Sequence, residues 1–361
     1  MGNTCFLNSA VQCLSHTLPL AEYFLDASFK RDLAKKNPLG SSKAGVASAF
    51  AKLVQQLWLG NAPVVQPTGF RKKIAGFAPR FAEDEQQDVQ EFVSCLLDAL
   101  HEDLNRAFRG SKDVDTNPEM LEDENPGAPA GLPAHVSAAL QWQSHLDRNK
   151  SIVVDLFQGQ LRSTVTCSSC GTCSSTFDPF MYLSVPLQSA SGKRIRTLEA
   201  ALQEFHRVER LTGDEQWKCP TCDALVDAVK QITIWRTPPV LVIHLKRFRH
   251  SSSGKRSKLN TKCAFPLTGL EVAGDGDGGF TCVCVCFALC AVTPATVGEH
   301  HRYDLYAVTN HHGGAVGCGH YTAMAKNGLT SLWHAFNDSY VAHVPDDSVE
   351  TKDAYLLFYA Q

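Results

Sequence analysis

Apolar residues in the first 108 positions recur every three or four residues, the spacing that places them on one face of an α-helix. One such face begins near Cys5 and continues through Val11, Leu14 and Leu18. Two further series are Val46, Phe50, Leu53, Val54 and Leu57, and then Val89, Phe92, Val93, Leu96, Leu97 and Leu100. The pattern predicts that residues 1–108 are mainly helical.

The pattern changes twice after this region. Residues 109–135 combine an acidic cluster with the run PGAPAGLP, so we expect a flexible insertion and connector over 109–150. From residue 151 onward, short β-branched or aromatic runs predict strands, at 161–167, 240–245, 305–308 and 354–359. Helices first and strands later are typical of an α+β fold.

Composition narrows the classes of function. The 361 residues carry 34 basic and 37 acidic side chains, a formal net charge of −3, which gives no electrostatic support for nucleic-acid binding. No secretory signal is visible, and the longest apolar run, about 280–292, is too short and too interrupted to span a membrane. We therefore expect a cytoplasmic protein, with the nucleus as a second location, that binds neither nucleic acid nor membrane.

The chain has 14 cysteines, which are not expected to form disulfides in a reducing compartment. Two Cys-x-x-Cys pairs, Cys167 with Cys170 and Cys219 with Cys222, lie on either side of a long intervening segment. Four thiolates in two such pairs suit a tetrahedral structural zinc ion, and four free thiols are the alternative. The alternating cysteines of 282–290 favour a half-buried strand over a second metal site.

Cys5 is the candidate nucleophile. It lies at the start of a predicted helix, where unpaired N–H groups and the helix dipole lower the pKa of a thiol. His320 is the candidate base, provided that the fold brings it close to Cys5. Taken singly, a cysteine in an apolar helix is more commonly a core residue, and a histidine beside glycine is more commonly a loop residue.

Six ordered motifs together resemble the ubiquitin-specific protease family of deubiquitinases, which are papain-like cysteine proteases. They are residues 2–9 (GNTCFLNS), 86–92 (QQDVQEF), the two Cys-x-x-Cys pairs as one motif, 244–248 (HLKRF), 303–311 (YDLYAVTNH) and 319–336 (GHYTAMAKNGLTSLWHAF). The resemblance covers almost the whole chain. It implies a single, monomeric catalytic domain over 1–361, with a helical thumb at 1–108, interleaved palm and fingers at 151–361, and a zinc ribbon in the fingers.

The resemblance also implies catalytic roles. Cys5 is the expected nucleophile, and His320 is the expected general base and acid. The third member of the triad is expected at Asn337, at the family's usual spacing after the histidine, where many relatives have aspartate. An amide oxygen can still accept the imidazole N–H and fix its tautomer, and the neighbouring Asp338 is expected to share that task.

The implied reaction cleaves the isopeptide bond after ubiquitin's C-terminal glycine through a cysteine thioester, with ubiquitin and ubiquitinated proteins as partners. Asp88 and Glu91 are expected to pair with arginines near ubiquitin's tail, and a solvated helix face is the alternative. Gly317 and Gly319 suit a narrow channel for the tail, and His311 matches a family position beside that channel. Structural zinc is the one expected cofactor, and no organic cofactor is expected.

One family feature has no counterpart. An asparagine five residues before the nucleophile donates to the oxyanion in this family, and that position would precede Met1, so we expect the chain to be part of a longer protein. This departure and Asn337 leave open a ubiquitin-binding pseudoenzyme with weak or no turnover. A zinc-ribbon nucleic-acid binder is a third reading, which the near-neutral charge disfavours.

Overall fold

The structure is a computed structural model that describes residues 3–33, 45–107, 132–250, 256–273, 300–315 and 318–361. The α-helices in these ranges are α1 (Cys5–Ser15), α2 (Leu18–Leu25), α3 (Phe29–Asp32), α4 (Gly45–Leu59), α5 (Thr68–Phe77), α6 (Val89–Leu104), α7 (Ala134–Arg148), α8 (Ile152–Phe157) and α9 (Leu198–Phe205). Short 3₁₀-helices span Pro79–Phe81, Gly213–Glu215 and Asp346–Ser348. Gly317, the cysteines of 282–290 and most of 109–135 lie outside the described residues.

The strands are β1 (Gly159–Cys167), β2 (Cys173–Phe180), β3 (Leu183–Pro186), β4 (Glu209–Leu211), β5 (Trp217–Cys219), β6 (Ala224–Val226), β7 (Ala228–Arg236), β8 (Val240–Lys246), β9 (Phe248–His250), β10 (Arg256–Lys258), β11 (Leu270–Ala273), β12 (His300–Ala315), β13 (Cys318–Lys326), β14 (Trp333–Asn337), β15 (Tyr340–Val344) and β16 (Ala354–Ala360). The four runs read as strands in the sequence fall inside β1, β8, β12 and β16. The predicted α+β class is confirmed.

Helices α1 to α6 occupy the described part of 1–107, as the apolar spacing predicted. Helix α6 illustrates how the apolar spacing corresponds to the fold. It begins after Asp88, whose carboxylate accepts the N–H of Gln90, and its apolar face is buried along its whole length. That face packs on α1, where the rings of Phe6 and Phe92 lie 5.2 Å apart between centroids. The first helix, which carries Cys5, is thereby fixed to the helical core.

Helix α7 corrects one expectation. The segment 109–150 was expected to be a flexible insertion and connector, yet its described end forms a helix of 15 residues. The helix packs against β2, and the side-chain oxygen of Gln141 accepts the N–H of Phe177 at 3.1 Å. Its buried residues are Ser137, Ala138 and Gln141, so the sequence carries little apolar periodicity there.

Eight strands form the large sheet, in the order β15-β14-β13-β12-β16-β8-β3 with β11 paired to β12. One face of this sheet shares a core with helices α1 to α6, and the other face forms a second core with α9. Helix α1 packs against β13, so residues 5–15 contact residues more than 300 positions later in the sequence. The candidate catalytic residues meet at this contact.

A four-stranded sheet in the order β2-β1-β7-β4 extends beside the large sheet, and β5 and β6 form a separate hairpin. The two Cys-x-x-Cys pairs lie at the end of β1 and at the end of β5. Within the described ranges, none of the helices combines the length and the apolar character needed to cross a bilayer.

Candidate active site

Cys5 is the first residue of α1, and its side chain is almost completely buried. Burial raises the pKa of the Cys5 thiol, and the negative charge of Asp338 raises it further. Hydrogen bonds from the backbone N–H groups of Tyr321 and Phe6 act in the opposite direction. Burial is the largest of these effects, so the resting thiol keeps its proton more strongly than an exposed cysteine does.

His320 lies on β13 and faces Asn337 at the end of β14. Its Nε2 donates a hydrogen bond to the side-chain oxygen of Asn337 at 2.6 Å. Because an amide oxygen only accepts, this bond assigns the proton to Nε2 and leaves Nδ1 as the basic nitrogen. The arrangement is that of a catalytic imidazole held by a third residue.

Asp338 holds an outer position beside this pair. Its Oδ2 is 4.0 Å from Nε2 of His320, and its Oδ1 accepts a hydrogen bond from Nδ2 of Asn8 at 2.8 Å. The residue has a positive φ of 49°, a left-handed conformation that aspartate tolerates better than most residues. Asn337 is therefore nearer to the imidazole than Asp338, and which of the two serves as the third catalytic residue stays a prediction.

Cys5, His320 and Asp338 line one cleft between the helices and the large sheet. Asn3 and Gln86 line the same cleft. Asn3 has a positive φ of 40°, and its side-chain amide donates to the carbonyl oxygen of Asp84 at 2.8 Å. That amide is therefore engaged by the protein itself, and the backbone N–H groups of Tyr321 on β13 and of Phe6 at the start of α1 are donors near the sulfur.

Asp88 and Glu91 lie at the start of α6, but their surroundings differ. The carboxylate of Asp88 caps the helix and also accepts the hydroxyl of Tyr355 at 2.6 Å. Burial raises its pKa. Glu91 is exposed, and its carboxylate lies 3.6 Å from the guanidinium of Arg80. Both were expected to bind substrate. In this structure Glu91 is exposed with one ion-pair partner, whereas Asp88 is partly buried and bonded to Tyr355 and to the backbone of Gln90.

His311, which matches a family position beside the expected tail channel, has a ring that is fully buried between Phe248, Tyr321 and Tyr355. Its role as a substrate-binding residue stays a prediction. Burial lowers its pKa to about 4, which keeps the ring neutral. Gly319 packs directly on this ring. A Cβ atom at Gly319 would lie 2.5 Å from Nε2 of His311, so glycine is required there.

The four cysteines of the two Cys-x-x-Cys pairs converge. Their Sγ atoms all lie within 4.8 Å of one another. The sulfurs of Cys170 and Cys219 are 3.6 Å apart, and those of Cys167 and Cys222 are 3.9 Å apart. A tetrahedral zinc ion with Zn–S bonds of about 2.3 Å separates its sulfurs by about 3.8 Å, so the set can hold this metal.

Three residues without an assigned role in the sequence analysis prove to connect the site. Asn8 bonds Asp338, Tyr355 bonds Asp88, and the side-chain amide of Gln86 bonds the backbone of Gly319 in both directions. Asn8 and Gln86 lie inside the family motifs 2–9 and 86–92, and this was the one sign in the sequence that they belong to the site. The partner of each is distant in sequence, and no local pattern identifies it.

Comparison with known proteins agrees with this geometry. Residues 1–359 match the protein-family profile described as ubiquitin carboxyl-terminal hydrolase. Ubiquitin carboxyl-terminal hydrolase 2 of Rattus norvegicus is 39% identical over 360 residues, covering 99% of this chain and 53% of the rat protein. The Gallus gallus protein of the same name is also 39% identical, and the match covers 91% of it. The chain thus spans about half the length of the rat relative.

Among solved structures, a SAGA DUB module that contains Ubp8 and is bound to monoubiquitin matches with a TM-score of 0.72 and 25% identity. The match covers 100% of this chain and 67% of that chain. A second Ubp8 module, bound to ubiquitin aldehyde, matches with a TM-score of 0.69 and 26% identity. On its sequence, its fold and the arrangement of Cys5, His320 and Asn337, this chain belongs to the ubiquitin carboxyl-terminal hydrolase family of ubiquitin-specific proteases.

Proposed function

We propose that this chain is the catalytic domain of a deubiquitinating thiol hydrolase, which cleaves the isopeptide bond after ubiquitin's C-terminal glycine. The observation that carries the proposal is the hydrogen bond between His320 and Asn337 beside the cleft that Cys5 and His320 both line. It orients one imidazole nitrogen and frees the other for proton transfer. Relatives named ubiquitin carboxyl-terminal hydrolase support the choice of substrate.

The first chemical step follows from the state of the thiol. Because burial raises the pKa of Cys5, the sulfur needs a base at the moment of attack. Nδ1 of His320 takes the thiol proton while Sγ bonds to the carbonyl carbon of the isopeptide. The backbone N–H groups at the start of α1 then face the negative oxygen of the tetrahedral intermediate.

The second half of the reaction returns the site to its starting state. The imidazolium of His320 protonates the lysine amine as the carbon–nitrogen bond breaks, and the acyl group remains on Cys5 as a thioester. Water then gives a proton to His320 and attacks the thioester carbonyl. Collapse of that intermediate frees the glycine carboxylic acid, which releases its proton to solvent, and the proton held by His320 returns to the Cys5 sulfur.

Substrate binding is assigned to the start of α6 and to the approach along β13. Glu91 is exposed, and although its carboxylate lies 3.6 Å from Arg80, the side chain can still reach arginines near ubiquitin's tail. Gly319 supplies an approach without a side chain, next to the catalytic histidine. A zinc ion held by Cys167, Cys170, Cys219 and Cys222 has a structural role, because four protein ligands leave no position for water.

We further infer that the domain acts as a monomer and that it is located in the cytoplasm or nucleus. These two assignments come from the family resemblance and the composition. Gel filtration with light scattering tests the first, and imaging of the tagged full-length protein tests the second.

The direct test of activity uses ubiquitin with an electrophile at its C-terminus. The purified chain is incubated with this probe beside a Cys5→Ala variant, and adducts are counted by intact mass. One adduct per chain that is absent from the variant supports the proposal. Ubiquitin binding without any adduct, followed by no hydrolysis of a ubiquitin–fluorophore amide, would instead establish a ubiquitin-binding pseudoenzyme.

A further inference from the structure

Gln86 makes a two-point contact with the residue that precedes the catalytic histidine. Its Oε1 accepts the N–H of Gly319 at 2.8 Å, and its Nε2 donates to the carbonyl oxygen of the same residue. A side-chain amide thus pairs with a backbone residue on β13 as a neighbouring strand would. Both partners of each bond are shielded from solvent in part, which strengthens the contact relative to an exposed one.

The contact occupies a gap in the large sheet. Along the described part of β13, strand β14 pairs only from Ala323 to Lys326. Strand β12 pairs on the other side, with His312 opposite His320 and a register shift immediately beyond. The backbone at Gly319 therefore lies past the end of β14 and next to an irregularity in β12. Gln86 satisfies the peptide groups there that no described strand pairs.

The opposite side of Gly319 is equally constrained. A Cβ atom placed on this residue would lie 2.5 Å from Nε2 of His311 and 2.6 Å from the carbonyl oxygen of His312. The ring of His311 is itself fully buried, so it cannot yield easily. The peptide that leads into His320 is consequently held between a buried ring and the amide of Gln86.

The residues on either side of Gln86 are held in place by hydrogen bonds to the helical region and to the large sheet. On one side of Gln86, Arg71 donates to the carbonyl of Glu83 at 3.1 Å and pairs with the carboxylate of Asp84 at 2.7 Å. On the other side, the carboxylate of Asp88 caps α6 and accepts the hydroxyl of Tyr355. The short segment that bears Gln86 is thus anchored at both ends, and the position of its amide is set by the helical region.

We propose that Gln86 is a positioning residue: its amide fixes the backbone of Gly319 and so holds the imidazole of His320 in register with both Cys5 and Asn337. The proposal rests on the proposed function for its chemistry. The competing account treats the contact as ordinary packing between the segment before α6 and the large sheet, with no effect particular to His320. The two accounts differ in one measurable respect, the effect of Gln86→Ala on the reactivity of Cys5 when His320 is also replaced. If Gln86 positions His320, that effect disappears in the His320→Ala background, and if the contact is only packing, the effect remains.

The test measures the reactivity of Cys5 without ubiquitin. The zinc-loaded chain is alkylated with iodoacetamide from pH 5 to 10, and modification is quantified by mass spectrometry on the peptide that contains Cys5. We compare wild type, Gln86→Ala, His320→Ala and the double variant, with Gln87→Ala as the matched control. Gln86→Glu adds a graded case, because it keeps the acceptor for the N–H of Gly319 but places a carboxylate oxygen against its carbonyl.

We expect Gln86→Ala to slow alkylation near neutral pH by about tenfold and to move the Cys5 limb of the profile to higher pH. Gln86→Glu should be at least as slow, and Gln87→Ala should match wild type. With a ubiquitin–fluorophore amide, kcat should fall by about ten- to a hundredfold and KM should stay within about twofold. In the His320→Ala background, removing the Gln86 amide should have no further effect on alkylation.

Two results would overturn the proposal. One is an equal loss of Cys5 reactivity from Gln86→Ala whether or not His320 is present. The other is an unchanged pH profile together with a raised KM or a weaker affinity for ubiquitin in the Cys5→Ala background. Because alkylation requires no ubiquitin, a wild-type chain that fails to react with the ubiquitin electrophile would contradict the proposed function without deciding the role of Gln86.

Discussion

The side-chain amide of Asn8 donates a hydrogen bond of 2.8 Å to the carboxylate of Asp338, 330 residues later in the chain. Asn8 lies one turn along α1 from Cys5, and Asp338 directly follows Asn337 at the end of β14. The bond therefore joins the helix that carries the nucleophile to the turn that follows Asn337, the residue that orients His320. It engages Oδ1 of Asp338, while Oδ2 lies 4.0 Å from the imidazole, farther than the side-chain oxygen of Asn337 at 2.6 Å.

The two candidates for the third catalytic position are predicted to differ in importance. Asn337→Ala should lower kcat by about a hundredfold, because Nε2 of His320 loses its 2.6 Å partner. Asp338→Ala should lower it by only a few fold, because its carboxylate is 4.0 Å from the ring. Steady-state hydrolysis of a ubiquitin–fluorophore amide ranks the two, and a larger loss for Asp338→Ala would reverse the assignment.

Asp338 is also predicted to influence the nucleophile. Its negative charge contributes to the raised pKa of the Cys5 thiol. Replacement by asparagine should therefore move the alkylation profile of Cys5 toward lower pH, while the hydrogen bond from Asn8 is retained by the amide oxygen. The profile is measured on the Cys5 peptide by mass spectrometry. An unchanged or higher apparent pKa of Cys5 in Asp338→Asn would contradict this prediction.

Asp88 is predicted to stabilise the fold in addition to any contact with substrate. Asp88→Ala should lower the free energy of unfolding by about 2–3 kcal/mol, because α6 loses its cap and the hydroxyl of Tyr355 loses its acceptor. Tyr355→Phe should cost less, and the double variant should show coupling between the two residues. Glu91→Ala is the matched control, since it is exposed and should change stability by less than about 0.5 kcal/mol.

Urea denaturation of these variants separates the two roles, with ubiquitin affinity measured alongside in the Cys5→Ala background. Glu91→Ala should weaken ubiquitin binding without altering the unfolding midpoint. If Asp88→Ala leaves the midpoint unchanged and only weakens binding, the capping role is wrong and the sequence interpretation of Asp88 as a substrate contact stands alone.

The sequence predicted those parts of the fold that depend on local pattern. Helix α6 was visible because Val89, Phe92 and Leu96 repeat at helical spacing, and all are buried. Helix α7 was missed because its docking uses a polar contact from Gln141. Asp88 also has a capping signature, an acidic residue directly before an apolar run, whereas the family resemblance implies a substrate role for it.

In the candidate site, too, the sequence identified residues that lie in or next to a motif but not the contacts between distant residues. Cys5 and His320 lie in family motifs, Asn337 was placed by its spacing after the histidine, and the structure brings His320 and Asn337 into contact. The two-point contact of Gln86 with Gly319 could not be predicted, because it joins residues 233 positions apart. The burial of His311 was equally hidden, since a histidine on a strand has no sequence mark that distinguishes a core ring from an exposed one.

Acid is predicted to destabilise the domain through two histidines, His311, which is buried, and His244, which is partly buried. Burial lowers the pKa of His244 to about 4 and that of His311 to about 4, both from an ordinary value of 6.5. Between about pH 4 and 6.5 these two histidines are therefore protonated in the unfolded chain but neutral in the folded chain. Each site contributes stability that is fully present above about pH 6.5 and is lost as the pH falls toward 4, by up to about 3 kcal/mol.

Urea denaturation midpoints measured between pH 7.5 and 4.5 test the predicted loss of stability with falling pH. The wild-type midpoint should fall across the interval, and His244→Gln should show a shallower fall from a lower starting stability. His343→Gln, at an exposed position, is the control and should follow the wild-type slope. A slope for His244→Gln equal to that of wild type would show that this ring does not contribute to the acid response.

Zinc is predicted to hold the two Cys-x-x-Cys pairs together, with one ion per chain. Their sulfur separations of 3.6 and 3.9 Å agree with a tetrahedral thiolate site, and the pairs join β1 to the β5–β6 hairpin. Cys219→Ser should lose the metal, because three thiolates and a hydroxyl form a much weaker site. Proteolytic cleavage should then rise by about tenfold or more within 159–236, because metal binding is coupled to local folding.

Elemental analysis counts the metal, and limited proteolysis with peptide mapping locates the change. Cys173→Ser is the matched control, because this exposed cysteine lies near the pairs but outside the convergent set, and it should retain both zinc and protease resistance. The site's structural role also predicts that Cys219→Ser keeps iodoacetamide reactivity at Cys5, since the catalytic cleft has its own core. Loss of zinc with no change in cleavage would mean that the four-stranded sheet and hairpin hold together without the metal.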